Sequence, residues 1–340
     1  MTFNNIIKNT YINEDGTIVL NKNAVCDGYK KGTPLALYTH IHQDHINQIH
    51  RALKSNSEII VSEPTKDLLL ALEGNHLLKR TNFKSLKWKK HYNYGNMKIS
   101  LYPAKHILGS SQIILEDDMN IVYTGDFDES TDAVDSDILI IDATCGIFER
   151  DYNPIDIKEE FYYLVRRELK KEKPIYIYSR TGKIQDIMVE LRKKDIDVPF
   201  ITTKKQIDII KVYEKYGNKI GNYMQEYEME AWEIKNKKIP YISFYNLHTK
   251  RLSAERYFQI YANGVDAYFP LIMSKKDRFQ IAISNHADKN TIFNYIQESC
   301  PKYVITDAYR SPYGAKKLAT VIKRELKIEA ISLPLSNITD

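Results

Sequence analysis

The sequence has few of the features that mark secreted, disulfide-bonded or membrane proteins. It has only three cysteines in 340 residues, isolated at Cys26, Cys145 and Cys300. An odd number without a CxxC pair favours a reducing compartment and gives no sign of a structural zinc site. The N-terminal residues resemble no signal peptide, and no apolar run approaches the roughly 20 residues of a membrane span. We therefore expect a cytoplasmic protein with no membrane partner.

The chain also lacks a strong excess of charge of either sign. It has 49 Lys and Arg against 44 Asp and Glu, a formal net charge of +5. This mild excess permits a polyanionic partner without requiring one. The hydrophobic share of 43% and the charged share of 27% are typical of a globular protein. A chain of this length is expected to hold two domains, or one domain with a large insertion.

Histidine is scarce but strongly clustered. The chain has nine histidines, and three of them fall in the segment Thr39–His45. His40 and His42 are two residues apart, so at a strand end their side chains point the same way. Neutral imidazoles and carboxylates are the ligands that zinc prefers in catalytic sites with one position open to water. The cluster indicates a metal site, the alternative being a solvated loop that is rich in histidine.

The pattern of apolar residues predicts an α/β protein. Short apolar runs punctuated by Gly, Asn and Asp predict strands in the first half of the chain, and 3.6-residue periodicity predicts helices. A strand, a glycine and a helix in series between residues 174 and 191 indicate a parallel α/β layer. The predicted strands include 17–20, 35–38, 58–61, 97–101, 111–115, 120–123, 138–141, 174–178 and 303–306. The predicted helices include 64–78, 157–171, 182–191, 204–215, 291–298 and 315–326.

Further residues of the metal-binding type lie just beyond predicted strands. Asp27, His106 and Asp126 each follow one of these apolar runs. Side chains at strand ends can converge on one rim of a sheet, which is how residues distant in sequence form one site. A single Asp beside Gly is more often a turn residue. Together with the histidine cluster, however, the three residues form a coherent set.

These motifs resemble those of the metallo-β-lactamase fold. Thr39–His45 is similar to its HxHxDH signature, His106 to its third motif, Gly125–Phe127 to its fourth, and Asp27 to its first. The resemblance covers nearly the whole chain. It implies an α/β fold, the metallo-β-lactamase αββα sandwich.

Other motifs resemble those of the β-CASP nucleases, one branch of this fold. Ile140–Gly146 is similar to motif A of that branch, Ser284–Asp288 to its motif B, and Tyr178–Gln185 to the first turn of its inserted α/β cap domain. The resemblance implies a metallo-β-lactamase domain made of residues 1–155 and 278–340. The β-CASP cap domain would be residues 156–277.

The resemblance also implies a site for two zinc ions. His40, His42 and His106 would bind the first ion, and Asp126 would bridge to the second. Asp44 and His45 would bind the second ion. At motif C, where RNA-cutting members usually carry a histidine, this chain has Asp307, which could complete the second site or be a turn residue.

The same resemblance implies roles in the cleavage of a phosphodiester. Asp44 would belong to the catalytic set as a metal ligand, His286 would protonate the leaving oxygen, and Asp142 would orient His286. Asp27 would support the histidine cluster from behind. The residues expected to contact substrate phosphates are Ser110, Ser111, Ser179, Arg180 and Lys183.

Three functions remain open from the sequence. The first is a zinc nuclease acting on single-stranded RNA or DNA. A nuclease that cuts RNA is favoured over the alternative, an Artemis-like exonuclease that repairs DNA. The second is a small-molecule hydrolase, such as a thioesterase or lactonase, and the third is a non-catalytic nucleic-acid-binding subunit. The complete set of ligand residues argues against the third. Endo- or exonuclease mode, protein partners and a homodimer are left open.

Overall fold

A computed structural model of the chain describes residues 3–55, 57–74, 76–77, 80–147, 153–249, 257–263 and 270–335. The chain divides into two compact units. Residues 1–149 and 285–340 form the first unit, and residues 150–284 form the second. The second unit thus extends a few residues beyond the predicted cap domain at each end, and residues 148–152, around its first boundary, lie outside the described part.

Twenty strands and ten helices are assigned within the described residues. The strands are β1 (Tyr11–Ile12), β2 (Ile18–Leu20), β3 (Ala24–Cys26), β4 (Leu35–Leu37), β5 (Glu58–Ser62), β6 (Phe83–Leu86), β7 (His91–Tyr94), β8 (Met97–Pro103), β9 (Ser111–Glu116), β10 (Asn120–Tyr123), β11 (Ile138–Ile141), β12 (Ile175–Ser179), β13 (Phe200–Thr202), β14 (Tyr223–Gln225), β15 (Ile242–Asn246), β16 (Phe258–Asn263), β17 (Leu271–Lys275), β18 (Arg278–Ala282), β19 (Tyr303–Asp307) and β20 (Glu329–Leu333). The helices are α1 (Phe3–Lys8), α2 (Gln43–Ile46), α3 (Ile49–Leu53), α4 (Glu63–Glu73), α5 (Pro154–Leu169), α6 (Lys183–Lys193), α7 (Lys204–Lys215), α8 (Met229–Asn236), α9 (Lys289–Ser299) and α10 (Pro312–Leu326).

The first unit is built from two sheets whose inner faces share one core. One sheet has the strand order β1-β2-β3-β4-β5-β6, and the other has the order β20-β19-β11-β10-β9-β8-β7. Leu35 and Leu37 of β4 belong to the same buried cluster as Ile121 and Tyr123 of β10. Alternate residues of a strand point to opposite faces, so this shared cluster places the two sheets face to face.

The outer face of the second sheet packs against α9 and α10. Val122 and Leu139 alternate with the residues that face the inner core, and they cluster with Ile296 of α9 and Leu318 of α10. Strands buried on both faces read as continuous apolar runs, which explains the sequence Ile138–Ile141. The first unit therefore has the predicted αββα layering, because α4 also packs beside β5 and β6 of the first sheet.

The second unit is a mostly parallel seven-stranded sheet with the order β14-β13-β15-β12-β16-β18-β17. Adjacent strands from β14 to β18 run parallel, and only the edge strand β17 is antiparallel. Parallel neighbours require crossover connections, which α6, α7 and α8 provide between β12 and β15. The predicted parallel α/β layer is confirmed and is larger than the sequence pattern indicated.

Helix boundaries follow the chemistry of their ends. The helix predicted over 64–78 begins at Glu63, where the Ser62 hydroxyl accepts a hydrogen bond from the Thr65 amide, and it ends at Glu73. The helix ends earlier than the apolar periodicity indicated, because Gly74 leaves the helical conformation with φ 100°. Few residues other than glycine adopt such a conformation without strain. Leu78 lies outside the described residues.

Across the described residues, no helix combines the length and apolar character that crossing a membrane requires.

Candidate metal centre and its comparison with known proteins

Chemically active side chains collect where several strands of the first unit end. Strands β10, β11 and β19 run parallel, so their carboxyl ends lie on one edge of the sheet. Asp126, Asp142 and Asp307 lie at or just after these ends. The loop between β4 and α2 carries His40 and His42. The convergence expected from strand-end positions is therefore present in the fold.

Four of these side chains form a compact group of potential metal ligands. One ligand atom from each of His40, His42, His106 and Asp126 lies within 4.8 Å of the others. Asp126 Oδ2 is 3.5 Å from His40 Nε2 and 3.6 Å from His106 Nε2. His42 Nδ1 is 3.2 Å from His106 Nε2. Two atoms that each bind a tetrahedral ion at about 2.0–2.1 Å lie roughly 3.3 Å apart, so these separations fit a shared metal ion.

The hydrogen bonding around the group also fits a metal ion. Within the described part of the chain, the buried Nε2 atoms of His40 and His45 have no hydrogen-bond partner. A buried polar atom without a partner is costly, and in native proteins it usually has an explanation such as an ion. His45 Nε2 is 3.2 Å from Asp126 Oδ1, and His40 Nε2 is 3.5 Å from Asp126 Oδ2. Both of these nitrogen atoms therefore lie near the same carboxylate. The residues present therefore could hold a metal ion.

Burial keeps two of the imidazoles in the form that binds metal. Loss of solvation lowers the pKa of His40 and lowers the pKa of His106 to about 4, although the nearby Asp126 carboxylate acts in the opposite direction. Both rings are therefore neutral near pH 7 and offer a lone pair. The second nitrogen of each ring is already engaged. His106 Nδ1 donates to the Asn285 carbonyl at 2.8 Å, and His40 Nδ1 lies 3.0 Å from the Thr39 hydroxyl.

His45 differs because two carboxylates face it. Burial and the Arg310 charge act to lower the pKa of His45, but Asp126 and Asp27 outweigh them and raise it to about 10. His45 Nδ1 donates to Asp27 Oδ2 at 2.7 Å. Binding of a cation at His45 Nε2 would therefore displace a proton. Asp44 lies beside it, with Oδ2 3.8 Å from His45 Nε2 and a side chain that is 44% exposed.

A fifth imidazole, that of His286, lies near both Asp126 and His106. His286 Nε2 is 3.9 Å from Asp126 Oδ2, and its Nδ1 donates to Asp142 Oδ2 at 2.8 Å. Asp142 is itself held, because its Oδ1 accepts from the Thr144 amide and hydroxyl at 2.8 and 2.6 Å. An imidazole backed by a fixed carboxylate has a defined orientation and presents Nε2 to the metal ligands.

Comparison with known proteins places this centre in a family. No protein-family model matches the sequence. The "RNase J-like protein" of Methanocaldococcus jannaschii is 28% identical over 245 residues, which cover 60% of this chain and 56% of that protein. "RNase aCSPSF2" of Saccharolobus solfataricus is 20% identical over 398 aligned positions, covering 94% of this chain and 80% of that protein. The chain belongs to the β-CASP family of the metallo-β-lactamase fold.

Two further matches name no family. An "Uncharacterized protein in lig 3'region" of Acidianus ambivalens is 33% identical over 127 residues, which cover 35% of this chain and 89% of that protein. The crystal structure of a protein of unknown function from Enterococcus faecalis V583 matches with a TM-score of 0.59 at 16% identity. The match covers 90% of this chain and 81% of the other, and it supports the fold alone.

Asp307, at motif C of this β-CASP protein, is not a member of the group of converging ligand atoms formed by His40, His42, His106 and Asp126. Its Oδ2 pairs with Arg310 Nη1 at 2.6 Å, and its Oδ1 accepts from the backbone amides of Tyr309 and Arg310 at 3.0 and 3.3 Å. The carboxylate thus closes the turn between β19 and α10. The structure does not favour the prediction of Asp307 as a metal ligand, because both its oxygens already have donors.

The residues predicted to contact substrate have different positions. Ser110 and Ser111 are buried, and their hydroxyls bond within the loop that carries His106: Ser110 Oγ accepts from the Ile107 amide at 3.1 Å, and Ser111 Oγ donates to the Gly109 carbonyl at 3.0 Å. In the second unit, Ser179 is buried and donates to the Ala262 carbonyl at 2.8 Å. Lys183 is 9% exposed, whereas Arg180 is exposed. Of these five, only Arg180 is freely accessible to a phosphate.

Several supporting residues were not predicted as part of the site. The Tyr123 hydroxyl donates to Asp27 Oδ2 at 2.9 Å, and the Asn285 carbonyl holds His106. Thr39 donates to Asp27 through both its amide and its hydroxyl, each at 2.8 Å. Thr39 and Asn285 are sequence neighbours of motif residues, which was a usable signal. Nothing in the local sequence of Tyr123 distinguishes it from a core residue.

We expect Asp27→Asn to weaken metal binding about 10- to 100-fold, the usual effect of losing a partner that orients a ligand. Asp27 accepts hydrogen bonds from Thr39, Tyr123 and His45, and an asparagine would direct an NH₂ group at some of these donors. Competition with a chromogenic chelator measures the affinity. Asp135→Asn, at an exposed carboxylate, is the matched control. Equal affinity in Asp27→Asn and the wild type would contradict a supporting role for Asp27.

We expect Gly125→Ala to destabilise the first unit more than Gly95→Ala does. The two glycines have φ of 56° and 58°, so the conformational cost to alanine is similar, about 1–2 kcal/mol. At Gly125 a Cβ would also lie 2.9 Å from Thr39 Cβ, whereas at Gly95 no described atom lies within 4 Å. Overpacking should add about 1–3 kcal/mol to the cost at Gly125, measured as the free energy of unfolding in urea. Equal losses in the two variants would show that this contact can relax.

Proposed function

We propose that this protein is a zinc-dependent nuclease that hydrolyses phosphodiester bonds in RNA. The observation that carries the proposal is the pairing of two groups around Asp126. Three imidazoles suited to a metal ion lie near this carboxylate, and so does His286, which is backed by Asp142. The printed names of two relatives, "RNase J-like protein" and "RNase aCSPSF2", favour RNA over DNA as the substrate. The chain spans only 56% of the first of these relatives, so the activity is proposed for this chain on its own residues.

The donor set supports zinc as the metal. His40, His42, His106 and Asp126 offer nitrogen and carboxylate ligands in a buried group, and His40 and His106 are neutral near pH 7. Zinc, when bound, lowers the pKa of a water ligand and neutralises charge on a phosphate. Asp44 and His45, with Asp126, offer a second position beside the first.

The remaining residues would handle the proton and the leaving group. His286 Nδ1 is engaged by Asp142, so Nε2 is the atom that can give a proton to the leaving oxygen. The Asp142 carboxylate stabilises the protonated ring and holds its orientation. Arg180, which is exposed at the end of β12, is the residue of the predicted substrate set that we retain for contact with phosphate. We place the protein in the cytoplasm, in keeping with its cysteine usage.

The test compares six conditions on one preparation. Single-stranded RNA and DNA of the same sequence, labelled at either end, and a thioester are each incubated with the protein, with and without a chelator. We expect cleavage of RNA that stops with the chelator and returns when zinc is added. Cleavage of DNA in preference to RNA would support the repair-exonuclease alternative, and turnover of the thioester without cleavage of either polynucleotide would reject the proposal.

A further inference from the structure

A buried arginine lies against the second metal position of the proposed centre. The Arg310 side chain is 5% exposed, and its Nη2 donates to the backbone carbonyl of Asp44 at 3.1 Å. Its Nη1 pairs with Asp307 Oδ2 at 2.6 Å. The Nε of Arg310 is buried with no hydrogen-bond partner among the described residues. A charged group is almost never buried unless it is paired, and among the described residues the direct ion pair of this guanidinium is the one with Asp307.

Arg310 pairs with Asp307, which would otherwise be available as a ligand at the second position. Both oxygens of Asp307 are occupied by Arg310 and the turn amides, so Asp307 cannot bind an ion unless these bonds break. Of the described residues assigned to it, the second position then keeps Asp44, His45 and a share of Asp126. The first position keeps its three imidazoles and Asp126 without a contribution from Asp307.

The positive charge of Arg310 also disfavours binding of a second metal ion. The guanidinium contacts the backbone of Asp44, the residue immediately before His45, and it is close enough to Asp27, Asp126 and Asp307 to interact with their charges. Unit charges interact strongly where burial excludes water, because the effective dielectric constant falls to about 20 or less. A fixed positive charge therefore already neutralises part of the carboxylate charge that would attract a second divalent cation. It cannot be lost by deprotonation, because arginine stays charged in proteins.

We propose that Arg310 is a positioning residue that makes this centre mononuclear in the isolated protein, with one tightly bound ion at His40, His42, His106 and Asp126. The second position binds an ion at least about 10-fold more weakly. The inference rests on the metal centre of the proposed function, and it departs from the two tightly bound zinc ions that the family resemblance implies.

Metal content tests the inference without reference to activity. Purified protein is loaded with excess zinc, dialysed and analysed by mass spectrometry, and a cobalt titration followed by visible absorbance gives the affinity of each position. We expect one zinc per chain in the wild type and in Arg310→Lys, which keeps the charge. In Arg310→Gln the second cobalt affinity should rise at least about 10-fold. Two tightly bound ions in the wild type would overturn the inference.

Asp307→Asn provides a second test, which is independent of whether Arg310→Gln folds. If Asp307 is not a ligand, this variant keeps the wild-type zinc content of one, whereas a ligand role predicts a fall from two to one. The two proposals can fail separately. One zinc without cleavage of RNA would reject the nuclease, and two tightly bound ions with cleavage of RNA would reject only the role of Arg310.

Discussion

Replacement of His42 by alanine should strip the protein of its metal ion and abolish cleavage of RNA. His42 Nδ1 lies 3.2 Å from His106 Nε2 within the group of four potential ligands, and its removal leaves His40, His106 and Asp126 of that group. We expect the affinity for zinc to fall by at least about 10²-fold, because a direct ligand matters more than the partners that orient it. Cleavage should fall by about 10³-fold or more, since a bound metal ion would supply both an activated water and the charge stabilisation.

The measurements are zinc content after dialysis and the initial rate of RNA cleavage. His50→Ala is the matched control, because the His50 side chain is 56% exposed and pairs with Glu73 at 3.1 Å, away from the ligand group. This control should keep its metal and its activity. A His42→Ala protein that holds a full equivalent of zinc would show that the ion binds elsewhere, and the metal centre described here would be rejected.

Replacement of His286 by alanine should separate catalysis from metal binding. His286 Nε2 faces Asp126 at 3.9 Å and is outside the group of four ligands, so zinc content should stay at the wild-type value. Cleavage of RNA should slow by about 10²- to 10⁴-fold, the usual contribution of a positioned general acid. The leaving oxygen of an RNA chain is a poor leaving group without a proton, and no other described imidazole pairs with Asp142.

A substrate with an activated leaving group distinguishes proton donation from a structural effect. Bis-p-nitrophenyl phosphate releases a stabilised phenolate that needs no proton, so His286→Ala should cleave it at close to the wild-type rate. Asp142→Asn should show the same selectivity in a weaker form, because it disturbs the orientation of His286 and leaves the ring in place. If both substrates slow equally in His286→Ala, the residue does not act as the general acid.

Much of the centre could be predicted because its chemistry is local in sequence. His40, His42, Asp44 and His45 fall in six residues, and these residue types are the ligands that zinc prefers in catalytic sites. Asp27, His106 and Asp126 were predictable from a second local rule, since each follows a predicted strand and strand ends can share one rim of a sheet, whereas the role of Asp142 was predicted from the family resemblance. The fold class followed from the same apolar runs, and helix α7 has the bounds, Lys204–Lys215, that its periodicity predicts.

The predictions were weaker wherever a residue type has several common uses. Serines near a motif were expected to contact substrate, yet Ser110 and Ser111 are buried and support their own loop. Asp307 was expected either to complete the second metal site or to be a turn residue, and in the structure it pairs with an arginine three residues later. A hydroxyl or a carboxylate bonds to whichever donor the packing brings near. The identity of that partner is a property of the folded chain and cannot be inferred from spacing alone.

The sequence by itself therefore determined which atoms can bind a metal and which strands carry them, because residue type and strand periodicity are local properties. Only the tertiary structure decided how those atoms share the space around Asp126. The partners that matter there are distant in sequence: Asp27 reaches His45, Asn285 reaches His106, and Arg310 reaches the backbone of Asp44. Burial then sets their charge, because removal from water penalises an ionised group that has no partner.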